Sequence, residues 1–362
     1  MKVKHEMSAF RSLLAAFAAF AAACSVSCAP ESGYVALSGY AQGGNYSVKI
    51  NMDGVDASPE SLKSGIDSIL NLVDNSLSGY NANSILSRLN SGERVMPDSI
   101  FLEMYRLSRR YFDMTGGAVD VSAGALFDVW GFGFTSDSLP SAAKVSEIKE
   151  YVGMDRLVPD LSSALAADGS VSARDIVADG RAEHLPVLNF NAVAQGYSCD
   201  LVADYLEKAG VKDMLVDIGG EIVCAGLNPV GNPWTIGVDR PVDGNNVSGA
   251  DLKGILQAGP DKCGVVTSGN YRKFYMKDGR KYAHTVDPLT GYPVSHSLLS
   301  ATVIAPTAAM ADALATYCMV IGEEKAAAYI EGRDDIGGYL IYQDEDGRMR
   351  TWKSSGFRLL RD

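Results

Sequence analysis

Apolar residues fall along the chain in two rhythms, one helical and one strand-like. From Pro59 to Leu77 they recur at Ile66, Ile69, Leu70, Val73 and Leu77, the 3.6-residue spacing of one helix face. Ser58-Pro59 supplies an N-cap and a first-turn proline. A polar loop, residues 78–84, leads into Ile85 to Asn90. Pro97 then opens a helix with Ile100, Met104, Leu107 and Tyr111 inward, and Gly116-Gly117 ends it. Ser141 to Gly153 predicts a surface helix, whereas Leu161 to His184 is polar and weakly patterned.

The strand rhythm appears first at Tyr40 to Ile50, interrupted by Gly43-Gly44, and dominates beyond residue 186. Val187 to Phe190 predicts a strand and Asn191 an N-cap. The helix that follows runs to about Ala209, with Leu201, Val202, Tyr205 and Leu206 on its core face and Gly210 as its stop. Further strands are expected at Met214–Ile218, Ile222–Ala225, Trp234–Asp239, Leu252–Ala258, Val265–Ser268 and Leu298–Ala305. An alanine-rich helix, a shorter one over Glu323–Ile330, and a hairpin of Tyr339–Tyr342 with Met349–Trp352 complete the pattern. No repeat and no linker divides it, which predicts a single α+β domain of mixed strands and helices.

Composition adds limits. With 362 residues, 47% of them hydrophobic and 21% charged, the chain can bury a sizeable core. A net charge of −12 argues against nucleic acid as a partner. A phosphate ligand would need a local cation, a metal or backbone N–H groups. The N-terminus reads as a targeting segment, with Lys2, Lys4 and Arg11 ahead of an apolar run of 11 residues, Leu13 to Ala23. That run is shorter than the roughly 20 residues of a membrane span and suits a signal peptide. Ala21-Ala22-Ala23-Cys24 resembles a bacterial lipoprotein signal, which makes residues 1–23 the signal peptide and Cys24 the lipidated residue. Cys28 and an ordinary cleaved signal are the alternatives. Residues 24–38 then form a tether, and residues 39–362 the catalytic domain. Cys199, Cys224, Cys263 and Cys318 are scattered, with no CxxC pair, so a zinc site is unsupported.

Candidate chemistry gathers in residues 267–316. His284 runs into Thr285-Val286-Asp287-Pro288, and Asp312 and Thr316 lie four apart on one helix face. His296 is read as structural. The glycine-rich, apolar stretch Ala118 to Phe134 holds Asp120 and Asp128, and is either a buried irregular segment or a ligand-lining loop. The helix start from Asn191 to Gly196 offers free N–H groups, a setting suited to anions.

Seven ordered blocks then carry a resemblance. They are Tyr80–Asn90, Thr115–Gly133, NFNAVAQGYSCD (Asn189–Asp200), LVDIGGEI (Leu215–Ile222), TSGNYRKF (Thr267–Phe274), YAHTVDPLTGYPV (Tyr282–Val294) and ADALAT (Ala311–Thr316). Together they resemble the FAD:protein FMN transferases of the ApbE type, over roughly Tyr40 to Gly322. The resemblance implies a T-fold-like domain with a mixed, mainly antiparallel sheet. It implies Mg²⁺-dependent transfer of FMN from FAD to a threonine of an acceptor flavoprotein, such as a redox-complex subunit, with release of AMP. Mg²⁺ would be held by the Ala192 carbonyl, Asp312 and Thr316. Flavin contacts would fall on Gln42, Tyr80, Ala118, Val119, Asp120, Asn189, Gln195, Ser268 and His284, with His284 and Asp312 catalytic. Gln42, Val119 and Asn189 depart from the residues common at those positions. An exported, lipid-anchored enzyme facing the periplasm or cell exterior is the expected setting. A Mg²⁺-dependent FAD pyrophosphatase and a non-catalytic flavin-binding lipoprotein are the competing readings.

Overall fold

The computed structural model describes residues 33–132, 139–180, 183–242, 244–245, 249–271, 274–277 and 280–362. The expected signal peptide, Cys24 and Cys28 lie outside the described residues. Residues 34–362 form one compact unit. Its centre is an eight-stranded sheet in which every neighbouring pair is antiparallel. The strands, in chain order, are β1 (Tyr34–Ala41), β2 (Gly44–Asn51), β3 (Met214–Ile218), β4 (Glu221–Ala225), β7 (Cys263–Gly269), β12 (Leu298–Ala305), β13 (Gly337–Gln343) and β14 (Met349–Lys353). That is also their order across the sheet. A second sheet joins β5 (Trp234–Asp239) and β6 (Leu252–Ala258) to the last strand, β15 (Leu359–Arg361), and two short pairs, β8 (Phe274–Lys277) with β9 (Arg280–Ala283) and β10 (Val286–Asp287) with β11 (Tyr292–Pro293), complete the described strands.

The two sheets and the helices make three layers. Alternation along β4 shows why. Val223 and Ala225 enter the core beneath the helices, while Ile222 and Cys224 enter the core shared with Trp234 and Ile236 of the small sheet. On β7, Val266 faces the helices and Val265 the small sheet. The expected α+β class and mainly antiparallel sheet are both present.

Helix α1 (Pro59–Leu77) buries Leu62, Ile66, Leu70, Val73 and Leu77, and the Ser58 hydroxyl caps it by accepting from Ser61 N–H. Helix α2 spans Ile85–Asn90. Helix α3 (Ser99–Met114) starts two residues after Pro97. Asp98 is its N-cap, accepting from Phe101 N–H at 2.8 Å. A short helix α4 (Gly124–Val129) and the surface helix α5 (Ala142–Lys149) follow. Then come α6 (Ala194–Lys208), α7 (Ala308–Ile321) and α8 (Glu323–Glu331).

Three local expectations change. Strand β1 begins at Tyr34, inside the expected tether, because it is half of a hairpin with β2. The two-residue loop Gln42-Gly43 has φ of 52° and 78°. Paired positive φ values give the turn that matches strand twist. Val187 to Phe190 is not a sheet strand, since the Asn90 side chain occupies both backbone groups of Leu188, at 2.8 and 2.9 Å. Asn191 is not an N-cap. The Asn189 side chain accepts from Asn191 N–H, and α6 begins three residues later, preceded by Val193 without a side-chain cap.

Candidate functional site

The start of α6 lies against the start of α7, and this crossing organises the site. The two helices touch at backbone level: a Cβ on Gly196 would sit 2.3 Å from the Ala308 carbonyl oxygen. One strand below, a Cβ on Gly264 of β7 would sit 2.3 Å from Ala308 N. Only glycine permits either approach. Carboxylates then cross in both directions. Asp312 of α7 accepts from Gly196 N–H at 3.1 Å, while Asp200 of α6 accepts from Ala308 and Ala309 N–H at 2.8 and 2.9 Å. Asp200 was not singled out from the sequence. Its place four residues after Gly196, on the same helix face, is the signal that marks it.

The Gly196 bond has a second consequence. In a helix that begins at Ala194 this N–H is one of the first-turn donors without a partner in its own helix. It goes to Asp312 Oδ2, and among the described residues no backbone N–H donates to the carbonyl of Ala192, just before the helix. The Ala192 carbonyl and the buried Asp312 carboxylate thus both belong to the start of α6. Burial pushes Asp312 well above the ordinary carboxylate range; the Gly196 bond opposes this, and the charge of Asp200 adds to it. Among the described residues no basic side chain pairs with Asp312. Thr316, half-buried, is one turn along the same face.

The donor set is therefore a carboxylate, a hydroxyl and a carbonyl, all hard oxygens, in need of positive charge. It fits a small divalent cation that keeps several waters. It does not fit a cage of side chains, and no group of three His, Cys, Asp or Glu of that kind occurs among the described residues.

Beside the crossing lies a cavity of about 510 Å³, a volume suited to an organic ligand. It brings together Gln42, Tyr80 and Gln195, three of the expected contacts, and adds Asp74, Asn191 and Ala194. Gln42 is held in its positive-φ turn while its Nε2 donates to Ser198 Oγ at 2.6 Å. Gln195 Nε2 donates to the Ile218 carbonyl at 3.0 Å, which ties the cavity wall to the β3–β4 turn. Tyr80 is 71% exposed. Asp74 Oδ2 accepts from Asn81 Nδ2 at 2.9 Å, which braces the loop carrying Tyr80. Asp74 was missed because, within an amphipathic helix, it reads as one more outward polar residue.

The other expected residues are placed differently. Ala118 and Val119 are buried as whole residues, Val119 within the main core. Asp120 is buried and spends Oδ1 on Ser122 N–H and Oγ, at 2.8 and 2.7 Å; burial raises its pKa to about 6. This is loop bracing, the structural alternative for that segment. Asn189 N–H donates to the Val121 carbonyl at 2.7 Å, so this segment does reach the lead-in to α6. Ser268, two residues after Val266 on β7, is on the helix side of the sheet. His284 is half-buried, and its neighbour Thr285 donates to Asn270 Oδ1 at 2.8 Å, just beyond Ser268. His296 packs away from this region: its Nδ1 accepts from Leu298 N–H and its Nε2 meets the Met319 carbonyl at 2.8 Å, near the end of α7.

A fold of this kind, with a cavity beside a group of oxygen donors, has clear relatives. The ApbE family profile matches residues 43–340, and the chain belongs to the ApbE family. The FAD:protein FMN transferase of Haemophilus influenzae is 32% identical over 97% of this chain and 98% of its own length. Among solved structures, the flavin transferase ApbE from Vibrio cholerae is 31% identical with a TM-score of 0.72, covering 89% of this chain and 97% of that one. The apo flavinyl transferase ApbE of Pseudomonas stutzeri is 30% identical with a TM-score of 0.73, covering 89% and 95%.

Proposed function

We propose that this protein transfers FMN from FAD to a threonine hydroxyl of an acceptor protein, with Mg²⁺ bound at Ala192, Asp312 and Thr316. The observation that carries the reading is the meeting of the two helix starts, which sets the buried Asp312 carboxylate on Gly196 N–H, close in sequence to the Ala192 carbonyl and without a basic side-chain partner among the described residues. The names of the relatives, all FAD:protein FMN transferases, supply the reaction. When bound, the cation would offset negative charge on the pyrophosphate oxygens of FAD.

The protein's own groups then have distinct tasks. Gln42, Tyr80 and Gln195 bind the nucleotide in the cavity, with the exposed Tyr80 ring offering a stacking face. Asn189, Ser268 and the backbone of Ala118 to Asp120 complete the flavin contacts. His284 takes the proton of the acceptor threonine as its oxygen attacks the FMN phosphorus. The bond from that phosphorus to the bridging oxygen breaks, and AMP leaves. In this reading Cys24 carries a lipid anchor that holds the enzyme at a bacterial membrane, facing the periplasm or exterior.

The test combines FAD, Mg²⁺ and a threonine-bearing acceptor, with flavin fluorescence read on the acceptor band after denaturing electrophoresis. Labelling that requires Mg²⁺ and falls about a hundredfold or more in Asp312→Ala is expected. Free FMN and AMP without labelling would establish a hydrolase instead, and retained FAD without turnover would establish a binding protein.

A further inference from the structure

We propose that Cys224 and Cys263 form a dithiol site that closes into a disulfide between β4 and β7 by exchange with a low-molecular-weight disulfide. The two residues are paired in register on adjacent antiparallel strands, with their sulfurs 3.7 Å apart. Both side chains face the small-sheet layer, Cys224 inside the core with Trp234 and Val265, and Cys263 packed against its rim. Directly opposed residues on antiparallel strands have Cα atoms about 4.5–5.5 Å apart. A disulfide accepts roughly 4.4–6.8 Å. Closure therefore needs side-chain rotation and no movement of the strands. The other two described cysteines are placed otherwise: Cys199 Sγ engages the Glu221 carbonyl, and Cys318 is buried within α7.

The two thiols are unequal. The hydrogen bond with Cys224 draws the Cys263 thiol below its usual range, and Gly259 N–H assists. The same contact, together with burial, pushes Cys224 up. Cys263 is also the half-buried member, while Cys224 is inaccessible. This division assigns the roles in exchange. The Cys263 thiolate attacks one sulfur of the incoming disulfide, forming a mixed disulfide and releasing one thiolate. Cys224 then attacks Cys263 Sγ, its proton passing to the second departing thiolate. One internal disulfide forms, two small thiols leave, and the incoming disulfide is the oxidant. The bond would lie one residue from Gly264, on which the start of α7 rests.

The experiment treats the full reduced chain with 2-hydroxyethyl disulfide and follows intact mass and non-reducing peptide maps. The expected result is one bond joining the Cys224 and Cys263 peptides, seen as the loss of two hydrogens. Cys224→Ser should stop at a mixed disulfide on Cys263, and Cys263→Ser should form neither product at this site. A mixed disulfide that persists on Cys263 in the native sequence would overturn the proposal. So would full alkylation of both thiols after treatment, or the Cys224–Cys263 bond appearing only in unfolded protein.

Discussion

The starts of α6 and α7 touch and each takes a carboxylate from the other, yet only one of them has a side-chain cap. At α7 the first N–H groups are satisfied from outside the helix: Thr307 Oγ accepts from Met310, and Asp200 accepts from Ala308 and Ala309. At α6 there is no side-chain cap, and Gly196 N–H leaves its own helix for Asp312. One end is closed so that it can act as a frame. The other lacks a side-chain cap, and in the proposed function the Ala192 carbonyl before it would be a ligand. A helix start offers chemistry where its local bonds are withheld, and it can withhold them only when a neighbouring start is held firmly.

Forcing the frame and the open end apart should have the largest effect. Gly196→Ala would place a methyl against the Ala308 carbonyl, so about 1–3 kcal/mol of stability should be lost in urea titrations. Transfer should be abolished, since Asp312 would be pushed away from the start of α6 that it now bonds. A variant with unchanged stability would show that the contact tolerates expansion.

A subtler change sharpens the frame. Burial, opposed by the Ala309 and Ala308 bonds, raises Asp200 from 3.8 to about 6, with Lys262 pulling it down and Asp204 pushing it up. Its folded-state pKa exceeds its unfolded value, so its protonation contributes stability that is full below about 3.8 and is lost as pH rises through about 6. Asp200→Asn should make the fall of Tm between pH 4 and 7 shallower. It should also weaken Mn²⁺ binding by the apo-protein, read by electron paramagnetic resonance. An unchanged slope would mean that other carboxylates govern this window. The smallest effect is expected for Thr307→Ala, a single lost cap costing about 1 kcal/mol with transfer retained.

Much of this contrast could be read from the sequence, though not all. Amphipathic spacing located α1 and α3, because each buries one face in the core, whereas α7, read from its alanine-rich run, is buried nearly all round. The Asp312–Thr316 pair was visible as an i, i+4 couple. The sheet order was not visible, since pairing of β2 with β3 or β4 with β7 joins segments with no local signal. The Gly196–Asp312 bond was equally hidden. Glycine at 196 can mean a close approach, but only the position of α7 shows what approaches. The Asp120–Ser122 turn was hidden as well, since a carboxylate in a glycine-rich loop does not show from sequence that its Oδ1 braces that loop.

The pairing of the first hairpin with β3 also sets the order in which the molecule can be assembled. Asn51 Nδ2 reaches Asp213 Oδ2 across 162 residues of chain, and Gln42 reaches Ser198 across 156. Contacts so distant in sequence form late, after the loop between them has closed. During synthesis the hairpin leaves the ribosome with one edge unpaired, a state open to wrong partners until β3 follows. A chain interrupted before residue 214 thus lacks both the strand that closes this edge and the Ile218 carbonyl that holds Gln195 in the cavity wall.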